Sequence, residues 1–251
     1  MTLKLRWFLL LFAAGISFDN FVRGADPGTD YLNPKILTGT IYSDSGLKHV
    51  LFTFRRTATN SGSNISVLRE FYLPGGAIAA RERVVYEGSQ LKSFALEELQ
   101  TGAKGTATVQ SSSGETNFNF NYSEGATKKV GSEKFLPEIL ISDMVGPFIA
   151  SHCDALAKGA TVKCRLVSVS RAETVGFKFF KESETMWRGQ PALLVELEPS
   201  SIIIARLVDP LHFVVEKNSP HRVIQYTGRT TPSILKNGKW EDLDATTVFD
   251  W

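Results

Sequence analysis

The chain contains little cysteine and little net charge, and it lacks the short motifs of common catalytic sites. Only two of its 251 residues are cysteine, which excludes a disulfide-rich scaffold. No H-E-x-x-H pair and no G-x-S-x-G elbow occurs, so neither a zinc protease nor an α/β-hydrolase is indicated. No apolar run reaches the roughly 20 residues that a helix needs to cross a bilayer.

The first residues are typical of a secretory signal. Two basic residues precede an apolar run at 7–14, whose length fits the hydrophobic region of a signal, about 7–15 residues. Small residues allow cleavage after Gly15 or after Gly24, and an uncleaved membrane anchor is the alternative. We expect cleavage after Gly24. The sequence thus predicts a signal peptide over residues 1–24, a single β-rich domain over 25–251 with no transmembrane span, and an exported protein, periplasmic or otherwise outside the cytoplasm.

The charge of the chain is nearly balanced. The full chain has 28 Lys and Arg against 26 Asp and Glu. Removal of residues 1–24 takes away Lys4, Arg6, Arg23 and Asp19, which leaves equal numbers of basic and acidic residues. A nucleic-acid partner normally requires a basic face, so we expect no such partner. Binding to anionic membrane surfaces by bulk charge is disfavoured for the same reason.

Alternation of apolar and polar residues dominates the rest of the chain. At 117–122 the sequence NFNFNY puts aromatic side chains on one face and amides on the other, as in a strand with one buried face. Similar alternation occurs around Phe52 and Phe54 and around Phe177 and Phe179. Turn residues separate such runs at spacings of about 8–14 residues. Strands with one solvent-exposed face and one buried face favour a mainly β fold with antiparallel pairing.

Two segments break this alternation. The spacing of apolar residues over 137–157 predicts a helix that begins at Pro137, because proline suits a first helical turn. Pro147 lies inside this segment and is expected to kink the helix or to divide it in two. Residues 200–207 could form a short second helix, although three consecutive isoleucines suit a strand equally. We therefore expect one or two helices that cover one side of the sheet.

Cys153 and Cys164 are the only thiols of the chain. In an exported protein they could form one disulfide that closes a short loop, which the loop-entropy model values at about 2–3 kcal/mol. Two buried free thiols are the alternative, because a sequence does not report the distance between two side chains. We expect the disulfide.

The histidines do not form a recognisable catalytic or metal-binding pattern. They are His49, His152, His212 and His221. None has a Cys, Asp, Glu or second His at a characteristic ligand spacing. The run His152-Cys153-Asp154 is suggestive, but neighbours on a helix project in different directions, and the fold usually brings nucleophile and base together. The sequence therefore predicts no metal, no cofactor and no enzyme activity.

A series of short segments follows the predicted helix in the second half of the chain. In order they are DALAKG at 154–159, RAETVGF at 171–177, GQPA at 189–192, EPS at 198–200, LVDPL at 207–211 and RVIQYTGR at 222–229. This order resembles a family of exported bacterial proteins that is grouped with the LolA and LolB lipoprotein carriers. The resemblance covers about residues 37–230 and is strongest after 138.

The resemblance implies a strongly curved antiparallel sheet, an incomplete barrel, with helices on its concave side. In the carriers the space between sheet and helices receives acyl chains. The family brings no established activity and no defined functional motif, so it transfers no site residue by position. An argument from fold alone is also a weak basis for function.

Two functions fit these expectations. The first is binding or carriage of a lipid, acyl chain or other apolar ligand in the concave face of the sheet. Its expected lining residues are Phe52, Phe54, Phe118, Phe120, Met144, Phe148, Phe177 and Phe179. Each of them could instead simply fill the core. The second function is assembly of the cell envelope through contacts with envelope proteins, by strand addition to an exposed sheet edge and without a small-molecule ligand.

Overall fold

The structure, a computed structural model, describes residues 36–112, 114–201 and 209–251. In chain order the elements are β1 (Ile36–Tyr42), β2 (Val50–Ser61), β3 (Asn64–Tyr72), β4 (Ile78–Glu87), β5 (Gln90–Glu98), β6 (Lys104–Ser112), β7 (Glu115–Glu124), β8 (Thr127–Lys134), β9 (Ile139–Leu140), α1 (Ser142–Ala157), β10 (Val162–Ser168), β11 (Glu173–Trp187), β12 (Gln190–Pro199), β13 (Leu211–Glu216), β14 (Val223–Lys236) and β15 (Lys239–Asp250). The predicted signal peptide and most of the predicted helix at 200–207 lie outside the described residues.

All of these strands belong to one sheet of 15 strands. Hydrogen-bonded neighbours follow the order β8-β7-β6-β5-β4-β3-β2-β1-β15-β14-β13-β12-β11-β10-β9. The short pair β9–β10 is parallel, and the other pairs are antiparallel. We call β1 to β8 the first half of the sheet and β9 to β15 the second half. The predicted mainly antiparallel β class is confirmed.

The alternation seen in the sequence is the alternation of the strand faces. In β7, Phe118 and Phe120 are 0% and 1% exposed, whereas Asn121 is exposed. In β11, Phe177 and Phe179 are buried on the core side in the same way. Side chains from both halves of the sheet pack with one side of α1 into the main hydrophobic core. Period two therefore predicted which residues of these strands face inward.

Helix α1 begins later than the sequence predicts. Its first residue is Ser142 rather than Pro137, because the residues between them include β9, which pairs with β10. Pro147 lies inside the helix without dividing it. Proline removes one hydrogen bond, here to the carbonyl of Asp143 in the first turn, and the buried Phe148 helps to hold the next turn on the core. Within the described ranges α1 is the one helix, and none there is long and apolar enough to cross a membrane.

The turn between β10 and β11, residues 169–172, contacts the edge strand β8, and we call this turn the hairpin tip. Gly131 of β8 lies so close to the tip that a Cβ atom there would stand 2.0 Å from the carbonyl oxygen of Ala172. Lys129, also in β8, donates to the carbonyl oxygen of Ser170 at 2.7 Å. The hairpin tip thus docks on the outermost strand of the first half.

This docking does not close the sheet. The edge strands β8 and β9 share no ladder in the described part of the chain. The expected strongly curved, incomplete barrel is therefore replaced by one long sheet that is neither closed nor strongly curled. Strand β8 explains the open edge, because it exposes Lys128, Lys129 and Lys134 to solvent. Lysines on an edge strand oppose pairing with a further strand.

The predicted disulfide is wrong, because Cys153 and Cys164 are both free and buried. Cys153 lies on α1, with its Sγ 4.0 Å from the carbonyl oxygen of Glu216 at the end of β13. Cys164 lies on β10 opposite Phe177 of β11. Strands β11 and β12 separate β10 from β13 in the sheet. Both thiols therefore act as packing groups of the main core.

Candidate functional site

A cavity of about 990 Å³ lies between the first turns of α1 and strands from both halves of the sheet. Its apolar wall includes Phe54, Phe71 and Phe94 from the first half and Phe177, Phe213 and Phe249 from the second. Small-molecule sites in proteins have volumes of about 300–1,000 Å³. The cavity is therefore large enough for a ligand of lipid-like size.

A buried network of charged side chains forms another part of the wall. Arg56 of β2 donates to both carboxylate oxygens of Asp143 in α1, at 2.7 Å to Oδ1 and 3.2 Å to Oδ2. The hydroxyl of Tyr86 in β4 donates to Oδ2 at 2.9 Å. Arg56 is 2% exposed and Asp143 is 4% exposed, so water does not screen the pair. The pair fixes the start of α1 on the first half of the sheet.

Glu82 of β4 extends this network to the second half of the sheet. It forms an ion pair with Arg69 of β3. Its carboxylate also accepts a hydrogen bond from the hydroxyl of Ser142 in α1, at 2.7 Å, and one from the hydroxyl of Thr231, at 2.6 Å. Thr231 lies in the bulge of β14. Two guanidinium groups and two carboxylates thus belong to one network that joins α1 to both halves.

The network sets the ionisation of its own members. Burial by itself would raise the pKa of Asp143, but the charge and the hydrogen bond of Arg56 outweigh it. With further help from Arg69 and Tyr86, the pKa of Asp143 lies below its usual value. Burial, followed by the charge of Asp143, raises the pKa of Tyr86 well above its usual value. Asp143 is therefore charged and Tyr86 neutral around pH 7, which suits a structural network better than proton transfer.

A further polar region of the wall carries two carboxylates. Glu98, at the end of β5, accepts hydrogen bonds from the hydroxyls of Thr101 at 3.2 Å and Ser233 at 2.8 Å. Burial raises the pKa of Glu98, and these two hydrogen bonds only partly offset the rise. Nearby in the wall, the hydroxyl of Tyr122 donates to Glu124 at 2.7 Å. The cavity lining is therefore amphipathic, with aromatic groups on one part and carboxylates on another.

The structure divides the eight side chains that the sequence predicts to line a ligand site. All eight are buried. Phe54 and Phe177 line the cavity. Phe52 packs in a smaller cluster around β1, β2 and β15. The other five, which are Phe118, Phe120, Met144, Phe148 and Phe179, pack in the main core. Contact of any of them with a ligand stays a prediction.

Sequence reasoning missed the charged residues of the cavity wall, although a signal for them exists. Arg56 stands at the next core-facing position after Phe54 in β2. Glu82 stands in the same phase of β4 as the buried Val84. A charge in the buried phase of a strand predicts a paired charge, because an unpaired one is costly to bury. The partner Asp143 lies 87 positions away from Arg56, and no local pattern connects them.

The fold defines a mainly antiparallel β protein with a half-open cavity beside α1, and comparisons with known proteins assign no family to it. No protein-family model matches the chain, and no curated protein matches it in sequence. A solved structure of a DUF1329 family protein from Desulfovibrio piger aligns with 91% of this chain and 89% of its own, at 13% identity and a TM-score of 0.25. A porin-like protein from Bacteroides uniformis aligns with 86% of this chain and 95% of its own, at 9% identity and a TM-score of 0.21. TM-scores this low do not establish a shared fold. The expected relation to the LolA and LolB carriers is unsupported.

Proposed function

We propose that this chain is an exported protein of the cell envelope that binds an elongated apolar ligand, such as a lipid or acyl chain, in the cavity beside α1. The observation that carries the proposal is a space of about 990 Å³ that the surrounding aromatic side chains leave unfilled. Each methylene group that leaves water gains about 0.8 kcal/mol. A ten-carbon chain therefore gains on the order of 8 kcal/mol before the costs of association are subtracted.

The charged groups in the wall favour an amphipathic ligand over a purely apolar one. Arg56 and Asp143 are paired with each other, so the network places a balanced surface beside an apolar chain. The region around Glu98 and Glu124 provides hydrogen-bond acceptors for the polar end of the same ligand. An apolar body with one polar end matches this division of the lining.

Assembly of the envelope through protein contacts is the second candidate. Val130 on the edge strand β8 is 78% exposed, which favours a contact surface there. The lysines on both sides of the same strand oppose strand addition, however. This function therefore has less support than ligand binding.

A substitution that fills the cavity tests ligand binding. Val167 of β10 lines the cavity, whereas Val109 of β6 is also half-buried but contributes nothing to the cavity wall. We expect Val167→Phe to weaken uptake of a fluorescent long-chain alcohol, whose hydroxyl can donate to the carboxylates of the wall, by at least about tenfold, because the new ring occupies space that the ligand needs. Val109→Phe should leave uptake unchanged. Fluorescence titration of delipidated protein measures both.

Equal effects of the two substitutions would contradict the proposal. So would wild-type protein that takes up no fluorescent alcohol and that carries no lipid when it is purified from an envelope extract. A stable protein partner in such an extract, together with the absence of bound lipid, would favour envelope assembly instead.

A further inference from the structure

Three side chains that bear metal-ligating atoms converge on the second half of the sheet, away from the cavity. Glu182 lies on β11, Glu196 on β12 and His212 on β13. Glu196 stands between Val195 and Leu197, which are both fully buried, so the cluster lies on the face of the sheet opposite the core. The positions are far apart in the sequence, which explains why no ligand spacing predicted them.

The strand pairing brings the three side chains together. Glu196 and His212 are directly opposite partners in the β12–β13 ladder. Between Lys181 and Ser183 the pairing of β11 with β12 shifts by one residue, and Glu182 is the extra residue of this bulge. A bulge re-aims a side chain relative to the regular pleat. Glu182 thereby reaches the imidazole of His212, with its Oε2 3.1 Å from Nδ1.

The distances and donor types fit one metal ion. A ligating atom from each of the three residues lies within 4.8 Å of the others. Atoms bound to the same ion at about 2.0–2.2 Å stand about 3–4 Å apart, so small rotations of the carboxylates complete the geometry. One imidazole nitrogen with two carboxylate oxygens is a donor set that suits first-row divalent ions, whereas Ca²⁺ and Mg²⁺ prefer oxygen ligands alone.

Neighbouring lysines form their ion pairs with carboxylates outside the cluster. Lys178 pairs with Glu198 at 2.7 Å, and Lys217 pairs with Glu184 at 2.7 Å. Across the described ranges no Lys or Arg forms an ion pair with the cluster's own carboxylates. A bound cation would neutralise part of the negative charge of the two carboxylates.

We propose that Glu182, Glu196 and His212 form a binding site for a divalent first-row transition-metal ion such as Zn²⁺. Three protein ligands leave the remaining coordination positions to water or to a further ligand, as in sites that are not purely structural. The simpler alternative is a surface hydrogen bond between His212 and Glu182 with no bound ion. The site is independent of the cavity, so its test is independent of the proposed function.

Calorimetric titration of the full chain, freed of any polyhistidine tag, with Zn²⁺ tests the site. We expect saturable binding of one ion per chain, which His212→Ala and Glu182→Gln each weaken by at least about tenfold. His49→Ala removes an exposed histidine in the loop between β1 and β2 and should leave the affinity unchanged. Thermal melting of each variant without metal checks that the fold is intact, and Glu182→Gln carries the test if His212→Ala melts early.

Two outcomes would overturn the proposal. The first is absence of saturable binding by the wild-type chain at millimolar Zn²⁺. The second is binding that His212→Ala and His49→Ala change to the same extent, because the ion would then lie elsewhere. Ca²⁺ in place of Zn²⁺ gives a further check, since binding of Ca²⁺ as tight as that of Zn²⁺ would show that the imidazole contributes nothing.

Discussion

At the scale of single residues, Asp143 determines where α1 sits. Its carboxylate lies in the first turn of the helix, where the helix dipole favours a negative charge. Burial of that charge costs several kcal/mol, and the two hydrogen bonds from Arg56 with the one from Tyr86 offset this cost. The geometry is cooperative, because removal of one partner leaves the others buried and unsatisfied.

Removal of the Asp143 charge should therefore destabilise the fold strongly. We expect Asp143→Asn to lower the free energy of unfolding at pH 7 by about 3–5 kcal/mol, because the buried charge of Arg56 loses the ionised carboxylate that it contacts at 2.7 Å. Asp154→Asn, at an exposed position of the same helix, should change it by less than about 0.5 kcal/mol. Denaturant unfolding measures both. A double variant, Arg56→Met with Asp143→Leu, should lower the free energy of unfolding by less than Asp143→Asn alone does.

The same substitution has a defined pH dependence. The pKa of Asp143 is lowered in the folded state, so between this pKa and the unfolded value of about 3.9 the unfolded chain binds more protons. The stability that the carboxylate contributes is present above pH 4 and is lost as the pH falls through the folded-state pKa. The difference between wild type and Asp143→Asn should therefore shrink in acid. A difference that stays constant down to pH 2 would contradict this assignment.

The two thiols allow a second prediction at the residue scale. Burial raises the pKa of Cys164 to about 12, and burial with the charge of Asp154 raises that of Cys153 to about 11. Because the thiolate is the reactive form, both cysteines of the native chain should react with Ellman's reagent more than about 100-fold slower than an exposed thiol at pH 8. Unfolding in guanidinium without reductant should release two thiols per chain. Release of none would indicate the disulfide instead.

At the scale of elements, the hairpin tip and β8 show how close backbone contact depends on glycine. Gly131 of β8 faces the carbonyl group of Ala172. The distance between them is too short for a methyl group at this position. In β6, Gly105 meets Val169 of the tip in the same way, since a Cβ atom would stand 2.6 Å from its Cγ2. The tip thus packs on β6 and β8 at positions where each strand has a glycine.

Addition of one methyl group should test this contact. We expect Gly131→Ala to lower the free energy of unfolding by about 1–3 kcal/mol, because the tip or β8 must shift to remove the overlap. Gly75→Ala, at a turn where a Cβ meets nothing within 4 Å, serves as the matched control and should change stability by less than about 0.5 kcal/mol. Equal melting temperatures of the two variants would show that the tip does not dock on β8.

The elements differ in how well the sequence predicted them. Strand β7 was evident in the sequence, because its alternation is strict and Phe118 and Phe120 on one face are fully buried. The sequence predicted the helix, but it placed the first residue five positions too early. The reason is that Ile139 and Leu140 fit an apolar helical stripe as well as they fit a short parallel strand. Apolar runs this short do not distinguish the two structures.

At the scale of the whole molecule, the sequence predicted a mainly antiparallel β fold but not the order of its strands. One-face alternation is enough to predict antiparallel pairing. The order of the strands depends on pairs such as Thr38 with Asp250, which no local pattern reveals. The cavity was out of reach for a related reason. Buried aromatic residues such as Phe120 and Phe177 look alike in sequence, and only the packing around them decides which one borders empty space.

The pairing of β1 with β15 in the middle of the sheet has a consequence for synthesis. Thr38 donates to the carboxylate of Asp250, 212 positions later, so the central seam joins early and late segments of the described chain. During translation β2 to β8 can form hairpin by hairpin. Among the described residues, however, one edge of β1 lacks its partner strand until β15 has been translated. Such a bare border invites pairing with other chains. We therefore expect a chaperone, or delayed folding, to protect this edge until β15 has been translated.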